Sequence, residues 1–132
     1  MAEISKEFKI VLIVNAIAAF AYGIMYVFLP DTVYSLNDAP YFDPHFWRLF
    51  GGALIATGIA TLLGIIKRDW DNIKLLVQFA IMFLIILALI SVTSPLYITR
   101  STTNLLCHWL DTIVIIILAV IDIFFCLREE KK

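Results

Sequence analysis

Two aspartates, Asp111 and Asp122, interrupt an otherwise apolar stretch near the C-terminus. They are 11 residues apart, close to three turns of an α-helix, so both carboxylates should point to nearly the same side. Asn104 and His108 fall on that side as well. Ionisable groups in an apolar helix are costly, and they often mark a substrate site or a proton relay. A histidine that titrates near neutral pH suits a relay.

The usual catalytic and metal-binding patterns are missing from the sequence. His45 and His108 are its two histidines, and no Cys or Glu cluster at metal-ligand spacing accompanies them. We find no phosphate-binding glycine loop and no nucleophile elbow. We therefore expect no metal, no cofactor and no catalytic residues, and this favours a protein that is not an enzyme.

The composition indicates which elements must carry these side chains. Hydrophobic residues make up 62% of the 132 positions and charged residues 16%, with a mean hydropathy of +0.95. A soluble domain is nearer about 45–50% apolar and about 25% charged, and one of this size could not bury so much apolar surface. The net charge of −1 offers no basic face for nucleic acid. These values predict an integral membrane protein.

Four stretches reach the length of about 20 apolar residues that a membrane span needs. They are residues 8–29, 46–66, 73–95 and 105–127. Each should be helical, because an isolated segment in lipid satisfies its own backbone only by coiling. We predict one integral membrane domain over residues 1–132, an all-α bundle of four transmembrane helices.

The connections contain residues that can begin helices. We expect Asp31 to cap a short turn over residues 32–36, and Asp71 or Asn72 to cap the third span. Pro40 and Pro44 should keep the rest of the first connection extended. Ser101 is one of several possible caps for the fourth span.

Lysine and arginine predict the orientation, because cytoplasmic loops collect them. Eight lie beside the termini and the second connection, and two lie on the opposite side. The eight are Lys6, Lys9, Lys67, Arg68, Lys74, Arg128, Lys131 and Lys132, and the two are Arg48 and Arg100. We predict a multi-pass protein of the cell membrane with both termini in the cytoplasm.

Arg48 begins the second span in the same outer half of the membrane that should hold Asp111. Its long stem can reach inward. We predict an Arg48–Asp111 ion pair inside the bundle, with His108 one turn away. We favour a structural role that fixes the helix register, and a substrate or proton site is the alternative.

Two further groups of side chains are candidates for the interior. Polar residues in the inner half of the bundle are expected to form interhelical hydrogen bonds: Asn15, Thr61, Gln78 and Asp122. Aromatic residues in the outer half can line a cleft or anchor the chain at the interface: Tyr22, Tyr26, Trp47 and Trp109.

Small residues recur every four positions along the second span. They are Gly52, Ala56, Ala60 and Gly64. Such a stripe lets helix backbones approach closely, so it predicts that the second helix is central in the bundle. A second copy of the chain could use part of the same stripe, and a homo-oligomer or a membrane-protein partner is therefore possible.

Residues 22–69 contain several short sequence segments in a characteristic order. Tyr22 to Pro30 precedes an acidic connection, which is followed by Asp43-Pro44-His45-Phe46-Trp47-Arg48-Leu49-Phe50-Gly51-Gly52, and Lys67-Arg68-Asp69 ends the order. This order resembles the DoxX-like small four-helix membrane proteins and related families, whose second helix often opens with an arginine and a glycine-rich run. The resemblance implies a four-helix bundle with Arg48 facing inward. Some members are described as subunits of quinone-linked sulfur oxidation.

Three functions remain open. The first, which we favour, is a non-enzymatic bundle that binds or helps to assemble a partner helix, a membrane lipid or a small amphiphile. The second is a proton-linked carrier or channel that uses Asp111 and Asp122. The third, implied by the resemblance, is an accessory subunit of a quinone-linked membrane oxidoreductase.

Overall fold

The computed structural model describes residues 3–39, 43–67 and 69–131, and this part of the chain folds into helices without a strand. The five α-helices are α1 (Lys6–Phe28), α2 (Pro30–Asn37), α3 (Pro44–Lys67), α4 (Trp70–Thr93) and α5 (Thr102–Glu129). A short 3-10 helix, Ser94–Leu96, follows α4.

Helices α1, α3, α4 and α5 are each long and apolar enough to cross a membrane. The prediction of an all-helical chain with four long apolar helices that could span a membrane is therefore confirmed. The helices begin up to three residues before the predicted spans, because polar capping residues precede the apolar runs. Two of the basic residues counted for the orientation, Arg68 and Lys132, lie outside the described residues, and so does Pro40 of the first connection.

The N-terminal caps of α4 and α5 follow the usual chemistry. The Ser101 hydroxyl accepts a hydrogen bond from the backbone N–H of Asn104 at 3.3 Å. The prediction for α4 was wrong by two or three residues, since Asp69 is its cap and accepts from the N–H of Asp71 at 3.3 Å. Asp71 and Asn72 already lie in the first helical turn, so their own side chains cannot fill that position.

The first connection is more helical than predicted. The expected turn over residues 32–36 is part of α2, which begins at Pro30, and Asp31 lies in its first turn instead of capping it. Proline suits this position because its fixed φ matches the helix and its missing N–H would be unpaired there. Pro44 likewise begins α3 instead of extending the chain, and Asp43 caps that helix, accepting from a backbone N–H at 2.9 Å.

The long helices associate chiefly as two pairs, α1 with α3 and α4 with α5. In the first pair the two backbones touch at Gly23 and Gly51. A Cβ atom on Gly51 would lie 2.8 Å from the carbonyl oxygen of Gly23, and one on Gly23 would lie 2.9 Å from that of Gly51. Any side chain at either position would force α1 and α3 apart.

The small-residue stripe predicted on α3 lies largely on the wrong face. Gly52 and Ala56 are exposed and Ala60 is half-buried, whereas Gly64 is buried beside Ile73 of α4. The buried face of α3 consists of Gly51, Leu54, Gly58, Thr61 and Gly64. Its spacing of three and four residues follows one side of the helix, whereas a strict four-residue row drifts around it.

The start of α1 and the end of α5 lie at one end of the bundle, where apolar and polar contacts tie the helices together. A buried cluster there joins α1, α4 and α5: Ile4, Phe8, Leu12, Trp70, Ile73, Val77 and Cys126. The buried carboxylate of Glu129 accepts from the Ser5 hydroxyl at 2.6 Å and from its N–H at 3.3 Å. The end of α5 is thereby fixed to the start of α1.

Candidate functional site

A cavity of about 210 Å³ lies between the four long helices. All four contribute to its wall, and Leu12, Ile73 and Val77 of the buried cluster form part of its lining near the termini. Most of the wall is apolar. Seven polar side chains from the predicted sets line it: Asn15, Tyr22, Tyr26, Thr61, His108, Asp111 and Asp122.

Asp111 and Tyr22 connect α5 to α1 across this cavity. The Tyr22 hydroxyl donates a hydrogen bond of 2.7 Å to the Asp111 carboxylate. Asp111 is exposed although it lines the cavity, so the cavity opens to the surroundings beside it.

The predicted Arg48–Asp111 ion pair is wrong. Arg48 is exposed, and none of the ion pairs within the described part of the chain includes either residue. The rotation of α3 explains why, because Trp47 is the residue that faces α1, stacking on Tyr26 with ring centroids 5.5 Å apart. Successive helical residues point about 100° apart, so Arg48 turns away from the bundle interior.

A second polar link joins the same two helices nearer the termini. The Asn15 side-chain amide donates to the Asp122 carboxylate at 2.7 Å, and Asp122 is only 2% exposed. Thr61 lines the cavity as well, but its hydroxyl donates to the Thr57 carbonyl of its own helix at 2.9 Å. Gln78 is separate from this group, since it is exposed and donates to Glu130 at 3.5 Å.

His108 connects α5 to its neighbour α4. The buried ring lines the cavity one turn from Asp111, and its Nε2 lies 2.9 Å from the carbonyl oxygen of Ser91. A carbonyl oxygen only accepts, so Nε2 carries a hydrogen and Nδ1 is the acceptor when the ring is neutral. No sequence signal marks Ser91, because the group that acts is its backbone carbonyl.

The remaining sequence candidates lie at the rim or outside the cavity. Asn104 donates to the Ser35 carbonyl at 2.9 Å, which ties α5 to α2 instead of lining the cavity. Of the four aromatic residues, Tyr22 and Tyr26 line it. Trp47 packs behind Tyr26, and Trp109 is exposed with its ring 5.8 Å from that of His108.

The chemistry available is that of binding and proton exchange. Two carboxylates and an imidazole lie at different depths of one largely apolar cavity. Among residues 3–39, 43–67 and 69–131, no group of three or more His, Cys, Asp or Glu side chains could hold a metal ion. The two links, Tyr22–Asp111 and Asn15–Asp122, place polar atoms of α1 and α5 against each other on one wall.

Comparison with known proteins identifies no relative of this chain. No family model, curated protein or solved structure matches the chain. The resemblance of residues 22–69 to the DoxX-like proteins therefore remains a prediction from the sequence.

Proposed function

We propose that this chain is a non-enzymatic, multi-pass membrane protein that binds a small amphiphile between its four long helices. The observation that carries the proposal is the cavity, which all four helices line and whose polar groups lie mainly on α1 and α5. An apolar wall with a few convergent polar groups is the usual form of a small-molecule site.

The volume limits the size of the ligand. Sites for drug-sized molecules measure about 300–1,000 Å³, and this cavity is about 210 Å³. A ligand of this kind would be a small amphiphile or the end of a lipid. Its polar end would meet Asp111, Asp122 or His108, and its apolar part would lie against the leucines and phenylalanines of the wall.

We also propose that the protein lies in the cell membrane with both termini in the cytoplasm. Basic residues at the end of the bundle that holds both termini support a cytoplasmic position for that end: Lys6, Lys9, Lys67, Lys74, Arg128 and Lys131. The cavity would then open toward the outer half of the cell membrane, where Asp111 is exposed.

Retention of a native ligand tests the binding function. The protein is purified from native membranes in mild detergent, and co-purified small molecules are identified by native mass spectrometry. Ala80→Phe, which fills part of the cavity on α4, should abolish retention. Ala56→Phe, on the exposed face of α3, is the matched control and should leave it unchanged. Equal retention by both variants would contradict a ligand in this cavity.

A second candidate, a proton-linked carrier, is favoured by one observation. Asp111 and Asp122 line the same cavity three helical turns apart, so a proton could occupy either site in turn. Proteoliposomes that contain the wild-type protein should show a proton flux driven by a pH gradient, and Asp111→Asn should abolish this flux. The same flux from wild type and variant would remove this candidate.

A further inference from the structure

The cavity has a marked imbalance of charge. Two carboxylates line it, and no lysine or arginine does so among the described residues. Outside the cavity, Lys74 pairs with Glu130 at 2.8 Å and Arg48 is exposed. One nitrogen of the Arg100 guanidinium donates to the Ser94 hydroxyl at 2.6 Å, and its Nε and Nη1 are buried without an acceptor.

Asp122 is the more costly of the two carboxylates. It is 2% exposed, and within the described part of the chain the one side chain that hydrogen-bonds to it is the neutral amide of Asn15. A buried carboxylate is costly unless an opposite charge and further hydrogen bonds compensate it. A positively charged ligand in the cavity would supply that compensation.

Asn15 adds a second acceptor beside this carboxylate. Its Nδ2 donates to Asp122, and this bond fixes the orientation of the amide. Its Oδ1 is buried and has no hydrogen-bond donor. Because the amide nitrogen and oxygen share one carbon, a donor group that reaches Asp122 would find this oxygen close by. Two adjacent acceptors suit an ammonium group, which carries up to three N–H donors.

The rest of the wall suits the body of such a ligand. The rings of Tyr22, Tyr26, Phe50 and Phe83 line the cavity with aliphatic side chains. Aromatic faces attract a cation through the ring quadrupole, most strongly where water is excluded. The wall is therefore compatible with a positive charge carried on an apolar body.

We propose that the ligand of this cavity is a small lipophilic amine in its protonated form, bound through Asp122 and Asn15 with Asp111 at the open side. This inference rests on the proposed binding function and names its ligand class. It assigns a role to Asp122 and to the unpaired oxygen of Asn15, and a neutral ligand would leave the charge of Asp122 uncompensated.

Three probes of similar shape and different charge test the inference on the full chain in nanodiscs. They are 2-phenylethylammonium, 2-phenylethanol and 3-phenylpropanoate, and their binding is measured by equilibrium dialysis. We expect the ammonium ion to bind roughly tenfold or more tightly than the alcohol, and the anion to bind most weakly.

Carboxamide variants then locate the charge. Asp122→Asn should bring the affinity for the ammonium ion close to that for the alcohol, and Asp111→Asn should reduce the difference in part. Asp31→Asn removes the same charge from an exposed position on α2 and should leave the preference intact.

The outcomes separate this inference from the function on which it rests. Equal binding of the ammonium ion and the alcohol by wild type would overturn the charge preference and leave an amphiphile site in place. Binding of none of the probes, while a neutral amphiphile is still recovered from native protein, would overturn it as well. The wild-type comparison remains decisive even if Asp122→Asn fails to fold.

Discussion

Two hydrogen bonds between α1 and α5 carry most of the polar interaction across the cavity. Tyr22 meets Asp111 and Asn15 meets Asp122, each at 2.7 Å. The two links differ in their surroundings, because Asp122 is buried and Asp111 is exposed. We therefore expect different consequences when each donor is removed.

Removing the Tyr22 hydroxyl should have a modest effect. Tyr22→Phe deletes the donor to Asp111, and the exposed carboxylate can then find another partner. We expect a loss of about 0.5–1.5 kcal/mol in the free energy of unfolding, measured in mixed micelles. Tyr97→Phe is the control, since Tyr97 is exposed between α4 and α5 and its hydroxyl makes only a long hydrogen bond, 3.4 Å to the Ile90 carbonyl. A Tyr22→Phe protein as stable as wild type would argue against this link.

Removing the Asn15 amide should cost more. Asn15→Leu leaves the buried Asp122 without a donor, and we expect a loss of about 1.5–3 kcal/mol. Replacing both partners, Asn15→Leu with Asp122→Leu, should recover much of that loss because no unpaired polar group remains. A double variant less stable than Asn15→Leu alone would contradict the pairing.

At the scale of the helices, the crossing of α1 and α3 decides which residues face inward. Gly23 and Gly51 let the two backbones touch, and this contact sets the rotation of α3. Trp47 then stacks on Tyr26, and Arg48 points away. The identity of the partner of Asp111 thus follows from a contact between two glycines.

Two neighbouring glycines test this crossing directly. A Cβ on Gly51 would clash with the backbone of α1, whereas one on Gly52 meets nothing within 4 Å. Gly51→Ala should therefore lower the free energy of unfolding by about 1–3 kcal/mol. Gly52→Ala should be neutral, or stabilising by up to about 1 kcal/mol because alanine favours helix. If Gly52→Ala were less stable than Gly51→Ala in a denaturant titration, α1 and α3 would have to cross at a different position.

A hydrogen bond to a titratable carboxylate joins the end of α2 to the start of α5. The backbone N–H of Ser101 donates to the Asp38 carboxylate at 2.8 Å, and this bond, followed by one from Asn104, lowers the pKa of Asp38 below its usual value of 3.8. A carboxylate with a lowered pKa stabilises the fold above its unfolded pKa, and this contribution is lost as the pH falls through the folded value.

Asp38→Asn should reveal this contribution. At neutral pH the variant should show faster hydrogen exchange at the start of α5 than wild type does. The difference should shrink in acid, as the wild-type carboxylate becomes protonated below pH 3.8. If the exchange rates of variant and wild type differed equally at every pH, the charge of Asp38 would not stabilise the start of α5.

In the molecule as a whole, the cavity is closed toward the end where α1 begins and α5 ends, and it opens beside Asp111. The cluster around Phe8 and Trp70, with the Ser5–Glu129 hydrogen bonds, closes the end that holds the termini. Toward the other end the two helix pairs enclose the cavity, and Asp111 lies at its opening. A small molecule would therefore enter from the side of Asp111 and reach Asp122 deeper in the bundle.

The sequence predicts the spans far better than it predicts their faces. Apolar length and composition are enough to identify four helices, because lipid allows few alternatives. The period of α5 also places Asp111, His108 and Asp122 correctly on one side. It cannot select between Arg48 and Tyr22 as the partner of Asp111, since both can reach that depth. That selection depends on helix rotation, which packing between helices determines.

A structure of the purified protein in lipid nanodiscs would show whether the cavity holds a ligand. We expect density for a small molecule between α1 and α5, within hydrogen-bonding distance of the Asp122 or Asp111 carboxylate. A bundle in which side chains of the four helices fill this space, with Asp111 facing the acyl chains, would contradict this expectation.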